Sequence, residues 1–169
     1  MKPIVSIIMG STSDWKIMEK AAIQLNELQV PFEVNALSAH RTPEQVEKFT
    51  KTASDRGVKV IIAAAGMAAH LPGVISSMTS IPVIGVPINA SLDGLDALLA
   101  IVQMPPGIPV ATVGINGAQN AALLAVQMIA TGDIDLYAKL QEFKLKLKDK
   151  IVKANQDLAE YKFDFRVIS

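Results

Sequence analysis

The 169-residue chain contains no cysteine. That removes disulfides, thiolate nucleophiles and zinc–thiolate sites together. Two histidines are the whole supply of imidazole, so no metal centre and no metal or redox cofactor is expected. Charge of either sign is also lacking in surplus: sixteen Lys and Arg balance sixteen Asp and Glu. Such a balance leaves no electrostatic footprint for nucleic acid or anionic lipid, and neither is expected as a partner, although it is compatible with a local basic pocket. No apolar run approaches the length that spans a membrane, and Met1-Lys2-Pro3 leads into an apolar stretch too short for a signal-peptide core. A soluble, cytoplasmic protein is expected.

What the chain does have is apolar bulk, with half of its residues hydrophobic and 19% charged. At this length it is read as one domain, 1–169, able to bury a full core. Short apolar runs alternate with helical patterns, and Gly, Ser, Asp or Pro marks each junction. Strands are expected near Ile4–Met9, Phe32–Ala36, Val58–Ala65, Pro82–Val86 and Val110–Gly114. The intervening helices carry apolar stripes at Ile17, Ala21, Leu25 and Leu28, at Val46, Phe49 and Ala53, at Val74 to Met78, at Leu95, Leu98 and Leu99, and over Asn116 to Thr131. Ser13 or Asp14 is expected to cap the first of these helices, Gly57 to end the second, and Ser91 or Asp93 to cap the fourth. Five β-then-α units in a row imply an α/β fold, a parallel sheet with helices on both faces. A last helix, 135–161, has a stripe at Leu136, Leu140, Phe143, Leu147, Ile151, Ala154 and Leu158. It is longer than the domain it would pack on, so its surplus apolar face is expected to lie in a subunit interface.

In an open α/β sheet ligands bind beyond the carboxyl ends of the strands. Three loops there carry polar or glycine-rich sequence: Gly10 to Asp14, Ser38 to Arg41, and Gly66 to Gly73. The first offers hydroxyls and backbone N–H groups to a phosphate, but lacks the lysine of a nucleotide-triphosphate loop and the spacing of a dinucleotide fingerprint. In the second, a proton carrier, His40, stands beside an anion clamp, Arg41. Thr42, Pro43 and Gln45 form a Thr-Pro-x-Gln start for the next helix, with Thr42 as its cap. Six residues of this kind fit an active site or a capped helix with two solvated charges equally well. The third loop has glycines and alanines around His70, a pattern that suits close approach of backbone to a ligand or close packing of helix on strand.

Together, Gly10-Ser11-Thr12-Ser13-Asp14-Trp15, Ser38-Ala39-His40-Arg41-Thr42-Pro43, Ala65-Gly66-Met67-Ala68-Ala69-His70-Leu71-Pro72-Gly73 and Ile101 to Val110 resemble the motifs of the class I N5-carboxyaminoimidazole ribonucleotide mutases of the AIR carboxylase family. Four motifs in order, spread over residues 4 to 131, are far more specific than any one. The resemblance implies a flavodoxin-like three-layer sandwich, a homo-octamer with sites between subunits, and a small ribonucleotide as substrate. It implies an isomerase of de novo purine biosynthesis that moves a carboxylate from the exocyclic amine of an aminoimidazole ribonucleotide to carbon 4 of the ring. By the same resemblance Ser11 and Asp14 lie at the ribose phosphate end, Ser38 is among the substrate-binding residues, Arg41 clamps the phosphate, and His40 is the general acid and base. Gly66, Ala69, His70 and Leu71 belong to the pocket of the migrating carboxylate. Met67 stands where many relatives have a second small residue, which bears on how closely the backbone approaches there.

The chemistry agrees with the residue inventory. A carbamate loses carbon dioxide once its nitrogen is protonated, the ring carbon attacks that carbon dioxide, and the proton on the ring carbon then leaves. One imidazole that gives a proton and takes one back suffices. His70, set among Ala68, Ala69, Leu71 and Pro72, is expected in apolar surroundings that suit one fixed hydrogen bond. Two alternatives stand beside this assignment. The class II relatives carboxylate the aminoimidazole ribonucleotide directly, but Arg41 in place of lysine, Trp15 and the Ala-Ala-His-Leu-Pro-Gly run favour class I. A flavodoxin-like module that only holds a phosphorylated ligand is the non-enzyme alternative; a receiver domain wants clustered carboxylates for magnesium, and only Asp14 is suitably placed.

Overall fold

Three apolar runs rich in Val, Ile and Ala pair side by side at the centre of the sheet, because a strand buried on both faces satisfies its backbone only inside a sheet, and two less buried strands flank them. In the computed structural model, which describes residues 1–167, the strands are β1 (Val5–Met9), β2 (Phe32–Ala36), β3 (Val60–Gly66), β4 (Val83–Ile88) and β5 (Ala111–Thr112). All pair in parallel, in the order β2-β1-β3-β4-β5. That order is flavodoxin-like, with its topological switch between β1 and β3. The helices are α1 (Trp15–Glu27), α2 (Pro43–Lys51), α3 (Ala53–Arg56), α4 (Leu71–Ser76), α5 (Leu95–Val102), α6 (Ala118–Ala130) and α7 (Ile134–Ala159).

Alternation along the strands sorts the core into two layers. Val5, Ile7 and Met9 of β1 and Val60, Ile62 and Ala64 of β3 face α1, α6 and the start of α7, meeting Met18, Ala21, Leu25, Ala121, Ala125, Leu136 and Leu140. Ile8, Ile61, Ala63 and Ala65 face the other way, onto Val46, Phe49, Ala53, Leu71, Ile75, Ala97 and Ile101. The result is the three-layer sandwich that the resemblance implies. Among the described residues no helix is long and apolar enough to cross a membrane.

Several local expectations are corrected. β4 does not stop before Pro87; it runs through Pro87 to Ile88. β5 pairs only with Ile84 and Gly85, so proline's missing N–H costs no ladder bond there, and the Pro87 carbonyl accepts from Asn116 N at 2.8 Å. β5 itself shrinks to two residues from the expected Val110–Gly114. α4 begins at Leu71 rather than Val74.

α5 turns its expected face outward: Leu95 and Leu99 are exposed, and Ala97 and Ile101 are buried. The buried side meets Gly85 of β4. With no side chain there, α5 sits so close that a Cβ on Gly85 would fall 2.3 Å from Ile101 Cγ2 and 3.0 Å from Val110 Cγ1. Ala97 and Ile101 take the buried side of this close contact, and Leu95 and Leu99 lie on the outside. Neither Ser91 nor Asp93 caps this helix with its side chain.

α7 is N-capped by Asp133, whose Oδ1 accepts from Asp135 N at 3.1 Å and Leu136 N at 3.0 Å. Leu136, Leu140 and the half-buried Phe143 pack onto the body of the protein. Beyond them the stripe continues without cover, leaving Leu147, Ile151 and Leu158 exposed.

Gly85→Ala should destabilise the protein by about 1–3 kcal/mol, the usual range for overpacking a tight core contact. Urea unfolding should show a much smaller cost for the same change in an Ile101→Ala background, where the clashing Cγ2 is gone.

Candidate active site

The carboxyl ends of β1, β2, β3 and β4 deliver four short segments to one open cleft of about 430 Å³. Gly10, Ser11, Ser13 and Asp14 come from β1; Ser38, Ala39, His40 and Arg41 from β2; Gly66, Met67, Ala68 and Leu71 follow β3; and Ala90 follows β4. The cleft therefore sits at the switch between β1 and β3, where chains leaving to opposite faces of the sheet part. Gly10 N still donates to Ala64 O of β3 at 3.2 Å, which ties the first loop to its neighbour.

In the first loop Asp14 takes the N-cap position of α1 as expected, but its side chain makes no capping bond. Ser11 caps a single 3-10 turn, Thr12–Asp14, accepting from Ser13 N at 3.2 Å and Ser13 Oγ at 2.9 Å. Asp14 is left half-buried over the cleft, and desolvation raises its pKa above the ordinary carboxylate value, against a weaker lowering by the Ser13 hydroxyl.

The second loop is a closed turn. Thr42 does not cap α2, contrary to the capping-box pattern: no side-chain bond reaches the helix N–H groups. Its hydroxyl reaches back, accepting from Ser38 N at 2.9 Å and donating to Ser38 O at 3.1 Å. Threonine side chains bond to nearby backbone in turns as readily as in caps, and here the turn wins. Ser38 Oγ accepts from Arg41 N and Nε at 3.3 and 3.4 Å. Arg41 Nη2 crosses to Gly10 O at 3.0 Å and so bridges the first two loops. Two of the five guanidinium N–H groups are used in this way, and among the described residues the others have no partner.

The third loop brings His70 to His40. His40 Nε2 lies 2.8 Å from His70 Nδ1, with the rings edge-to-face at 86° and centroids 4.9 Å apart. Two N–H groups cannot point at each other across that distance, so one nitrogen donates and the other accepts, and the bond holds a single proton. Both rings are exposed. The expectation that His70 is embedded in apolar surroundings is therefore wrong: Leu71 and Pro72 turn into the core, and the imidazole stays at the cleft edge.

The rest of this loop separates the two meanings of its small residues. A Cβ on Gly66 would lie 3.0 Å from Ala90 Cβ, and one on Gly73 would lie 3.1 Å from Met104 Sδ. Gly73 thus serves the packing of α4 against the Met104 loop, whereas Gly66 both packs on Ala90 and lines the cleft. Ala69 is buried at 1% exposure and does not line the cleft. Met67 is the unexpected member, left-handed at φ 55° and 61% exposed on the cleft wall. A side chain in that conformation costs about 1–2 kcal/mol relative to the right-handed form.

Of the expected site residues, Ser11, Asp14, Ser38, His40, Arg41, Gly66 and Leu71 meet in the cleft. His70 joins through His40. Ala90 is the member that sequence alone missed, its only signal being that it follows a strand. Among the described residues no group of three or more His, Cys, Asp and Glu could hold a metal ion.

The fold and cleft define a flavodoxin-like α/β protein with a hydrogen-bonded histidine pair beside an arginine at the sheet's switch point. The chain belongs to the AIR carboxylase family, whose profile matches residues 4–150. It is 51% identical over 162 residues to the N5-carboxyaminoimidazole ribonucleotide mutase of Mycobacterium leprae, with 95% of each chain covered. It is 54% identical to the protein of the same name in Methanocaldococcus jannaschii, over 93% of this chain and 98% of that one. The crystal structure of Treponema denticola PurE superposes with a TM-score of 0.84 at 30% identity, covering 93% of this chain and 99% of that chain.

The raised pKa of Asp14 has a defined sign. The folded state holds that proton more tightly than the unfolded chain, so the group favours folding below the unfolded value and loses that contribution as pH rises through the folded value. At neutral pH its charge opposes folding. Asp14→Asn should therefore melt at a higher temperature than the parent at pH 7, with the difference vanishing in acid below the ordinary carboxylate range; thermal melts across pH check this.

Proposed function

We propose that this chain is an N5-carboxyaminoimidazole ribonucleotide mutase, converting that carbamate to 4-carboxyaminoimidazole ribonucleotide in de novo purine synthesis. The observation that carries the proposal is the hydrogen-bonded His40–His70 pair beside Arg41, in a cleft at the switch point of the sheet. Family membership and the mutase names of relatives at 51 and 54% identity support it.

In this proposal Arg41 takes the phosphate, because a guanidinium offers paired N–H groups to phosphate oxygens, and Ser11 and Asp14 take the ribose end. The imidazole ring of the substrate then lies toward the two histidines. His40 protonates the carbamate nitrogen, the N–C bond breaks, and carbon dioxide is released within the cleft. The bonding pair of the electron-rich ring attacks carbon dioxide through carbon 4, and the proton on that carbon returns to His40. Atoms and charge balance with no oxidant or co-reactant. His70 holds Nε2 of His40 and leaves Nδ1 of His40 free, with no other partner among the described residues. Gly66, Met67 and Leu71 form the wall beside which the carbon dioxide would wait; Ala69 supports that wall from the core.

The same proposal extends to assembly and place. Leu95, Leu99 and Val102 of α5, with Leu92 in the turn before it, are exposed apolar side chains, and Leu147, Ile151 and Leu158 are exposed on α7. Such surfaces support the octamer that the family resemblance implies, with 135–161 at an interface. A biosynthetic enzyme of this kind acts in the cytoplasm.

Two measurements test these proposals. Purified protein incubated with the carbamate ribonucleotide, without ATP, bicarbonate or metal, should form the 4-carboxy product; a requirement for supplied carbon dioxide and the uncarboxylated ribonucleotide would mean the class II activity instead. In that assay His40→Asn should lose roughly 10²–10⁴-fold in turnover while staying folded, and His70→Asn, which keeps one hydrogen bond but carries no proton, should lose less. Light scattering should give a mass eight times that of the chain at micromolar concentration, and a monomer would refute the assembly.

A further inference from the structure

Thr42 is not where its sequence pattern puts it. A threonine ahead of Pro43 and Gln45 has a ready use as the cap of α2, and the helix is left without that side-chain bond. The hydroxyl is spent on Ser38 instead, and with the bond from Thr42 N to Ser38 O at 2.8 Å it makes three links between the two residues. These links close a ring of backbone around Ala39, His40 and Arg41. Within the ring, Ser38 Oγ holds Arg41 by N and Nε. Ala39 packs on the core, but His40 and Arg41 are exposed, and beyond the ring they are tied, among the described residues, only by single hydrogen bonds, His40 to His70 and Arg41 to Gly10 O.

We propose that Thr42 is a positioning residue: its clasp on Ser38 sets the turn that aims Arg41 at the substrate phosphate and holds His40 against His70. This deepens the proposed mutase function and rests on it. The physical reason is preorganisation. A turn held at both ends delivers the clamp and the proton carrier at a fixed separation, so binding does not have to order them. A threonine that served only to start the helix would influence stability alone.

Thr42→Val keeps the branched shape and removes the hydroxyl, whereas Thr42→Ser keeps the hydroxyl and removes the methyl. Hydrogen exchange at the Ser38 amide, read without any ligand, should show protection in the parent and in Thr42→Ser and lose it in Thr42→Val. In the mutase assay Thr42→Val should show a raised KM together with a lowered kcat, kcat/KM falling by roughly 10²-fold as expected for displaced catalytic groups. Thr42→Ser should restore most of it. Should Thr42→Val fold poorly, Thr42→Ala gives the same comparison without the valine branch. A folded Thr42→Val protein with the parent's kcat and KM overturns the proposal, whatever its melting temperature. If the parent itself fails to isomerise the carbamate, the mutase function falls separately. Calorimetry with ribose 5-phosphate then decides the clasp, weaker binding by Thr42→Val supporting it and equal binding overturning it.

Discussion

The pairing of β1 with β3 is the constraint on which the rest of the structure depends. Both strands are apolar on both faces, so they must lie in the middle of the sheet with helices above and below. The chain leaving β1 crosses to one face by α1, and the chain leaving β3 goes to the other by α4. Their loops therefore diverge, and a crevice opens between them with no helix to fill it. Every polar group of the cleft is hung on the edges of that crevice. The Gly10 to Ala64 bond and the bridge from Arg41 to Gly10 O tie its two sides together.

What stands in the crevice is economical. Two histidines share one hydrogen bond, and in the proposed mechanism His40 serves as both acid and base while His70 holds it. One arginine spans two loops with two of its donors while the rest stay free. A half-buried carboxyl, Asp14, is held above its ordinary pKa at some cost to folding at neutral pH. Left-handed Met67 is a second local cost. Unfavourable groups of this kind concentrate where a ligand is to be met, and both line the same cleft.

Much of this was legible in the sequence, for identifiable reasons. Period and burial located the five strands to within a few residues, because a fully buried strand admits little but apolar side chains. The polar loops after β1, β2 and β3 were legible as a site only together, because each alone fits a capped helix or close packing equally well while all three fall at the carboxyl ends of the strands. The failures share a different cause: they depend on what another element does. Local spacing makes Thr42 a cap, but its hydroxyl had a nearer backbone partner in Ser38. Apolarity makes Leu95 and Leu99 the inner face of α5, but the helix meets Gly85 on a neighbouring strand with Ile101 instead. Ala90 carries no chemical signal at all, and only the sheet order places it opposite Gly66.

The central claim is that one cleft both releases and recaptures carbon dioxide, His40 lending a proton to the substrate amine for the release and regaining one from carbon 4 after the recapture. The most direct measurement supplies the carbamate ribonucleotide with a ¹³C-labelled carboxylate in excess unlabelled bicarbonate and reads the product by mass spectrometry. Retention of the label in the 4-carboxy product is the predicted result. Product that carries carbon from the bicarbonate pool would contradict it.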